Sequence, residues 1–469
     1  MPSYLNNQLG FVVSFLGMRM KVPEDVKDLA AVFSRGGFSL YLVGGAVRDY
    51  LLGRENHDYD FTTDARPEEV KALFRRTIDT GIKHGTVTVL FRKGHYEITT
   101  FRTEGAYTDS RHPDEVHFVR SLEEDLKRRD FTVNALAASL PGGEIIDLTE
   151  GRKDLRRKLI RAIGDPKERF SEDALRMMRA ARFSSQLGFS VEESTKAAIK
   201  SLAPSIHKVS AERIEEELLK LAGGKAPSKG LELMRETGLL KEVLPELNAT
   251  VGFKQGGIHS EDLYTHLLLS LESAREHGFP LEVRLAALFH DIGKVPARKA
   301  GEDREYTFYN HESLGADMTR AILRRLKAPN GLTDTVTHLI ENHMFTYTED
   351  WTDAAVRRFI RRVGTEYLEM LFQLRIADME GIQSPYRPST AMIDALSERI
   401  RKEREAQNAL SLKDLKINGK DLIALGIEPG PSLGAILSKL LDEVLDDPGK
   451  NRKEYLESEA LRLSQGQGQ

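Results

Sequence analysis

The residues that could do chemistry fall in a few short clusters. One is His57-Asp58-Tyr59-Asp60-Phe61. On an extended segment, residues two apart face the same way, so Asp58 and Asp60 stand side by side. Carboxylates that close repel unless a cation lies between them. Oxygen ligands beside a phosphate substrate favour Mg²⁺. Two such metals lower the pKa of an attacking 3′-hydroxyl and stabilise a leaving pyrophosphate. Glu97 is a candidate third carboxylate. Taken alone, an Asp-x-Asp is also a polar strand end.

A second cluster, Leu42-Val43-Gly44-Gly45-Ala46-Val47-Arg48-Asp49, runs from a strand into a helix. Its glycines let backbone amides approach a ligand, the helix start favours a triphosphate, and Arg48 adds a charged fork. A third, Arg169 to Arg179, puts Asp173 and Arg176 at i, i+3 on a helix that Ser171 can cap. A carboxylate only accepts hydrogen bonds and a guanidinium only donates them. Cytosine and adenine present an amine donor beside a ring-nitrogen acceptor, and guanine and uracil the reverse. The pair therefore matches C and A, and a mismatched base leaves polar groups unpaired. Arg179 and Arg182 continue the spacing, with a drift around the helix that leaves Arg182 furthest from the others.

A fourth set lies later. His290-Asp291-Ile292-Gly293-Lys294 ends an apolar helical run, His266 precedes it, and His311, His343 and Asp378 follow. The adjacent His290 and Asp291 can grip one metal and bridge a second. His and carboxylate ligands do not choose among Mn²⁺, Ni²⁺, Co²⁺, Fe²⁺ and Mg²⁺.

The elements that position these clusters change along the chain. The first third mixes helix and strand: a helix over Asp25–Gly36, strands at Leu40–Val43 and Tyr59–Thr62, a hairpin of Thr86–Phe91 with Tyr96–Phe101, and an extended stretch at Val116–Val119. From about Asp165 helical periodicity takes over, in Glu172–Leu187, Ala211–Leu221, Leu263–His277, Leu281–Asp291, Gly315–Leu326, Val336–His343 and Leu371–Met379. The 469 residues suffice for three or four domains. With no cysteine, disulfides and thiolate metal sites are excluded, which fits a reducing cytoplasm. Leu9–Gly17 is apolar but too short to span a membrane. The net charge of −4 gives no global sign of nucleic-acid binding. Local basic runs occur at Lys127 to Arg129, Arg152 to Arg161 and Arg357 to Arg362, each also readable as a solvated helix face.

Leu42–Asp49, His57–Thr62, Arg128–Ala137 and Arg169–Phe183 together resemble the class II tRNA nucleotidyltransferase and bacterial poly(A) polymerase family. The resemblance implies an α/β head of polymerase-β-like type with a mixed antiparallel sheet, followed by an elongated all-α body. It implies Asp58 and Asp60 as catalytic Mg²⁺ ligands, and nucleotide contacts at Gly45, Arg48, Arg129, Asp173, Arg176, Arg179 and Arg182. Thr103 to His117 resembles the family's flexible loop, linked to the switch from C to A addition. His266, His290, Asp291 and Asp378 look like the HD phosphohydrolase signature, which His311 and His343 would extend to two metals. That likeness implies hydrolysis of 2′,3′-cyclic phosphates or 2′-phosphates. The tail, Asn418 to Val444, resembles that of the bacterial CCA-adding members. The expected domains are a nucleotidyltransferase head over 22–160, a helical neck over 161–250, an HD-like body over 255–385 and a helical tail over 390–465. The expected function is cytoplasmic CCA addition to the tRNA acceptor arm from CTP and ATP, without a membrane. The alternatives are A-only addition, poly(A) synthesis, and a metal hydrolase whose head only binds RNA.

Overall fold

The structure is a computed structural model that describes residues 19–55, 59–104, 116–301, 305–383, 388–406 and 409–465. Asp58, His57 and residues 105–115 of the loop singled out above lie outside the described residues, as does Leu9–Gly17. The chain divides into two compact units, Met1–Pro245 and Glu246–Gln469.

Among the described residues, the strands of the first unit's head include β1 (Leu40–Val43), β2 (Asp60–Thr63), β3 (Thr77–Gly81), β4 (Thr86–Phe91), β5 (Gly94–Thr100), β6 (Arg102–Glu104), β7 (Val116–Phe118), β8 (Leu136–Ser139) and β9 (Ile145–Asp147). Seven of them form one sheet in the order β3-β4-β5-β2-β1-β8-β9, and β6 pairs with β7 apart from it. The expected hairpin is β4 with β5, paired from Thr86↔Thr99 to Phe91↔Gly94. Its alternation puts Val87, Val89, Tyr96 and Ile98 in the core. β2 runs parallel to β5 and antiparallel to β1, so the sheet is mixed. That register sets Asp60 beside Glu97 and Thr62 beside Thr99, on the face opposite buried Phe61. The Leu122–Lys127 helix is capped by the Ser121 side chain, which accepts from the Glu124 N–H, and it brings the buried Asp125 against Thr62.

After the head the chain is helical, as expected, apart from two-residue strands. Two of these, Lys299–Ala300 and Tyr306–Thr307, make a small hairpin that periodicity alone does not reveal. In the second unit the helices Leu263–Glu276, Leu281–Phe289 and Leu368–Glu380 pack on one another, and Leu281–Phe289 also packs on Asn330–Asn342. Leu285, Leu288, Phe289, Leu339 and Leu374 are fully buried among them. The basic run at Arg357 to Arg362 is not an open cationic face. Arg357 is buried against Glu403 at 3.0 Å and donates to the Leu445 carbonyl, while Arg358 and Arg361 pair with Asp446 and Asp442. The run fastens the Asp353–Val363 helix to the tail helix Pro431–Asp446. Among the described residues, no helix is long and apolar enough to cross a membrane.

Candidate functional site

At the end of β1 the chain turns through Gly44, with φ 69°, into the helix Gly45–Leu51. Positive φ favours glycine, and a side chain here would also come within 3.4 Å of Arg129 Nη1 and 3.9 Å of Asp60 Oδ2. The turn borders a 590 Å³ cavity within the first unit. Gly45, Arg48, Asp60, Arg129, Asp173, Arg176, Arg179 and Arg182 all line it, so these sequence-predicted residues come together, whereas Glu97 is in register with Asp60 but not in the lining. The lining also includes Arg102, Arg128, Asp130, Asn134, Phe183, Gln186 and Arg213.

Buried carboxylates hold the arginines in place. Asp125 accepts from Arg128 Nε at 2.9 Å and Arg129 Nη2 at 3.3 Å. Burial pushes the Asp125 carboxyl up, but the two guanidiniums and their hydrogen bonds outweigh it and hold the group below its usual range. Asp130 accepts from Arg179 Nε at 2.7 Å, the Phe131 N–H at 2.7 Å and Asn134 Nδ2 at 3.2 Å. Its carboxyl is likewise lowered, with burial opposed by Arg179. Arg48 forks onto Asp49 at 2.9 and 2.8 Å and donates to Asn134 Oδ1 at 2.7 Å. Three guanidiniums, from Arg48, Arg179 and Arg182, lie 5.6, 5.5 and 4.2 Å from the centre of the buried Phe183 ring. The ring's negative face stabilises cations that would otherwise repel one another. Arg182 also pairs with buried Glu217, Nε to Oε2, at 3.1 Å. Burial raises the Glu217 carboxyl, while burial and the neighbouring Arg179 lower Arg182.

The region around Asp173 differs from the expectation. Ser171 caps no helix; it lies inside one, Pro166–Glu172, whose cap is Asp165. Asp173 is extended, with φ −137° and ψ 104°, and its Oδ1 accepts the Leu175 N–H at the start of the next helix, Leu175–Leu187. Asp173 and Arg176 are therefore not neighbours on one helical face. Asp173 pairs with Arg213 Nη2 at 2.8 Å, and Arg176 Nη1 pairs with Glu172 at 2.6 Å and with the Arg169 carbonyl at 3.0 Å. The Asp173 side chain bonds the amide two residues on, an alternative to helix that aspartate readily takes. Arg213, on the helix Ala211–Ala222, was not foreseen. Its only sequence signal is a cation among Glu212, Glu215, Glu216 and Glu217.

In the second unit the later histidines and aspartates also converge. His266 Nε2 lies 3.2 Å from His290 Nε2 and 3.2 Å from Asp378 Oδ1. His290 Nε2 is 3.3 Å from both Asp291 and Asp378. His311 and His343 turn their Nε2 atoms to Asp291 Oδ1 at 3.2 and 3.5 Å. All six are buried. His290, His311 and His343 each place Nδ1 on a carbonyl three residues back, of Ala287, Phe308 and Ile340. That bond assigns the proton to Nδ1 and leaves Nε2 as a lone-pair donor to a metal. The Nε2 atoms of His311 and His343, and Asp291 Oδ1, are buried without a hydrogen-bond partner, so the donor set fits a divalent cation. Against the effect of burial, and with no cation beside them, Asp291 and Asp378 raise the His290 pKa to about 10, so a metal taking the Nε2 lone pair would displace a proton there. Gly293 makes the packing possible: a Cβ there would meet the His311 carbonyl oxygen at 2.1 Å and the Gly315 nitrogen at 2.5 Å. The sequence reading missed Lys294 as a partner, held at 2.5 Å from Asp291 and 2.9 Å from Gln255.

Comparison with known proteins follows the same division. Residues 40–161 match the family model "Poly A polymerase head domain". Residues 188–250 match "Probable RNA and SrmB- binding site of polymerase A", and residues 309–460 match a tRNA nucleotidyltransferase domain 2 model. The CCA-adding enzyme of Levilactobacillus brevis is 37% identical over 92% of this chain and 96% of its own length. That of Enterococcus faecalis is 38% identical over 94% and 97%. Among solved structures, the Bacillus stearothermophilus CCA-adding enzyme in complex with CTP aligns with a TM-score of 0.72 and 32% identity, over 96% of this chain and 99% of that one.

Proposed function

The chain belongs to the family of bacterial CCA-adding enzymes, and from that premise we propose that it adds CCA to the 3′ end of tRNA using CTP and ATP. The observation that carries the proposal is the single cavity with Asp60 and the Gly44-Gly45 turn on one part of its lining and Asp173 and Arg176 on another. The triphosphate lies among Arg48, Arg129 and Arg179, whose guanidiniums are already fixed by carboxylates and cost little further ordering. Asp173 accepts the exocyclic amine of C or A, and Arg176 donates to the ring nitrogen. Arg213 and Glu172 hold these two groups in place. The 3′-hydroxyl oxygen bonds the α-phosphorus, the bond to the bridging oxygen breaks, and pyrophosphate leaves with the hydroxyl proton released. Asp60, together with Asp58, is the ligand set for a divalent cation, Mg²⁺ for these oxygens, which supplies Lewis-acid activation of the hydroxyl and charge neutralisation.

The test is extension of a tRNA lacking its last three nucleotides. Two C residues from CTP, and an A only after them, support the proposal. A long A ladder from ATP alone points to poly(A) synthesis instead. A single A, added only to tRNA already ending in CC, marks an A-adding specialist.

A second reading is supported by the orphaned Nε2 atoms of His311 and His343. The cluster of His266, His290, Asp291, His311, His343 and Asp378 holds divalent metal and hydrolyses phosphate esters at RNA 3′ ends. Opening a 2′,3′-cyclic phosphate forms one bond from water oxygen to phosphorus and breaks one ribose O–P bond. The freed ribose oxygen takes a proton and becomes a hydroxyl. The metal supplies an activated water at neutral pH, and Lys294 keeps Asp291 ionised beside it. Hydrolysis unchanged by His290→Ala and Asp291→Ala would refute this reading.

A further inference from the structure

One buried carboxylate beside the histidine–aspartate cluster takes part in neither proposed reaction. Glu261 directly precedes Asp262, which caps the helix Leu263–Glu276 by accepting the Thr265 N–H at 2.9 Å. The Glu261 side chain is only 2% exposed. His290 and His343 stand at helix C-termini and His311 at a helix start, and each has a carbonyl for its Nδ1. His266 stands inside its helix, and its Nδ1 is buried without a hydrogen-bond partner. An acceptor faces it nonetheless, for Glu261 Oε1 lies 3.9 Å away. That same oxygen is 2.9 Å from His259 Nδ1, and the His259 ring stands edge-on to the His266 ring with centres 4.9 Å apart. The other oxygen, Oε2, accepts the N–H groups of Ser260 and Gln383, both at 3.2 Å, and Ser260 Oγ donates to the Gln383 carbonyl. Gln383 follows the helix Leu368–Glu380, which carries Asp378. Gly381 lets the two helices approach there: a Cβ on it would meet Ser270 Oγ at 2.2 Å.

We propose that Glu261 is a positioning residue of this cluster: it takes the Nδ1 proton of His266, so that Nε2 faces Asp378 and His290 with its lone pair free for a divalent cation, and it ties the helix of Asp378 to the same carboxylate. The proposal rests on reading the cluster as a metal site and adds how two of its ligands, from helices far apart in the chain, are held. What the second ring nitrogen of a histidine donates to decides which nitrogen can bind a metal, and a carboxylate there fixes both the tautomer and the ring angle. A small tilt of the imidazole closes the 3.9 Å to a hydrogen bond. Without Glu261 the choice goes the other way. Asp378 Oδ1, 3.2 Å from His266 Nε2, draws the proton to that nitrogen, which then has no lone pair to offer. His259 keeps the carboxylate aimed inward by holding Oε1 on the His266 side. The other use of these groups is a cation of their own, held by His259, Glu261 and His266 Nδ1. The His259–Glu261 hydrogen bond, and an Oε2 already engaged by two amides, favour positioning.

The experiment reads the proton and the metal separately, on the full-length protein carrying Asp60→Ala so that the head's cation site is silent. In the metal-free protein labelled with ¹⁵N-histidine, the ring signals of His266, assigned by their loss in His266→Ala, should place the proton on Nδ1. In Glu261→Ala it should move to Nε2; in Glu261→Gln, whose amide oxygen still accepts, it should stay. Mn²⁺ titration followed by paramagnetic resonance should show affinity about 10- to 100-fold weaker in Glu261→Ala, the scale of losing an outer partner of a metal-bound histidine, and nearly retained in Glu261→Gln. In a His266→Ala background most of that cost should vanish, since both substitutions act through one ring. A proton on Nε2 in the parent, Mn²⁺ affinity unchanged by Glu261→Ala, or an equal loss in the His266→Ala background overturns the proposal. So does a stoichiometry that falls by one ion in His259→Ala, which would make these residues ligands. A lower melting temperature with proton and affinity unmoved reduces Glu261 to a structural contact. The cluster reading fails separately, if the parent binds no Mn²⁺, because the proton on the metal-free ring still judges Glu261.

Discussion

Arg213 Nη2 donates to Asp173 Oδ2 at 2.8 Å and so holds, from a different helix, the carboxylate proposed to read the incoming base. The aspartate is fixed from both sides, since its Oδ1 also accepts the Leu175 amide at 3.0 Å. Base selection then depends on a pair that the nucleotide does not have to assemble. We expect Asp173→Ala to admit UTP and GTP. Arg213→Ala should leave the carboxylate in place but loosely held, lowering selectivity against UTP by about ten-fold, a modest part of what an unpaired polar group can impose. Misincorporation into tRNA lacking its 3′ end reads both. Unchanged selectivity in Arg213→Ala would reduce the pair to a structural contact.

Asp60 is the exposed end of β2, in register with Glu97. Asp60→Ala should lower transfer at least about a thousand-fold, the several kcal/mol expected for a metal-holding carboxylate. Glu97→Gln tests the neighbour: a rise in the Mg²⁺ requirement would assign it to the same cation. The melting temperature of Asp60→Ala should stay close to that of the parent, because the side chain contributes little to the core.

Asp130 gives a pH signature. Its carboxyl sits below the ordinary value of 3.8, against the opposing effect of burial, because Arg179 and three hydrogen bonds favour the anion. A group lowered in the folded state adds stability above its unfolded pKa and loses it as pH falls through the folded one. Asp130→Asn should therefore cost on the order of 3 kcal/mol at neutral pH, where a buried pair is broken. The gap between the two proteins should close as pH drops below 3.8. Urea midpoints measured across acid pH would show it, and a gap independent of pH would contradict the assignment.

Gly293 controls the second site by distance alone. Adding one methyl there forces the His311 helix away from the His290-Asp291 turn. Gly293→Ala should destabilise the protein by about 2 kcal/mol, as overpacking does, and reduce Mn²⁺ binding more than a mere loss of stability explains. Mn²⁺ titration well below the melting temperature separates the two effects. Full metal affinity in the variant would show that His311 is not a ligand.

The sequence made local relations legible and left the tertiary ones hidden. The Gly44-Gly45 turn, the Thr86–Thr100 hairpin and the alternation that sets Asp60 opposite Phe61 are all written in neighbouring residues, and the structure has them. The convergence of His266, His290, Asp291, His311, His343 and Asp378 was legible only as a family pattern, since their helices are far apart in the chain. Two features escaped. The helix break at Asp173 has no glycine or proline to announce it between Glu172 and Leu175; it depends on the Asp173 side chain preferring a nearby amide. The ion pairs of Asp173 with Arg213 and Asp130 with Arg179 join residues on separate elements, and no spacing rule encodes them. The run from Arg357 to Arg362 has the look of a phosphate-binding face, yet Arg357, Arg358 and Arg361 meet acidic groups of other helices, which periodicity cannot supply.

The arginine-rich cavity of the head also has a kinetic side. Eight arginines and three aspartates line it, and with Asp49, Asp125, Glu172 and Glu217 pairing those arginines from outside the lining a small positive surplus remains. Attraction of that kind does not distinguish arrival from departure. Pyrophosphate keeps two of the three phosphates that drew the substrate in, and it meets the same pre-set guanidiniums on its way out. We expect residence of the product, rather than bond making, to govern the turnover number, and a burst of extension in the first turnover would show it. The enzyme becomes sensitive to accumulated pyrophosphate, which competes with the next nucleotide for one seat, and a pyrophosphatase in the same reaction would raise its steady rate without touching the chemistry.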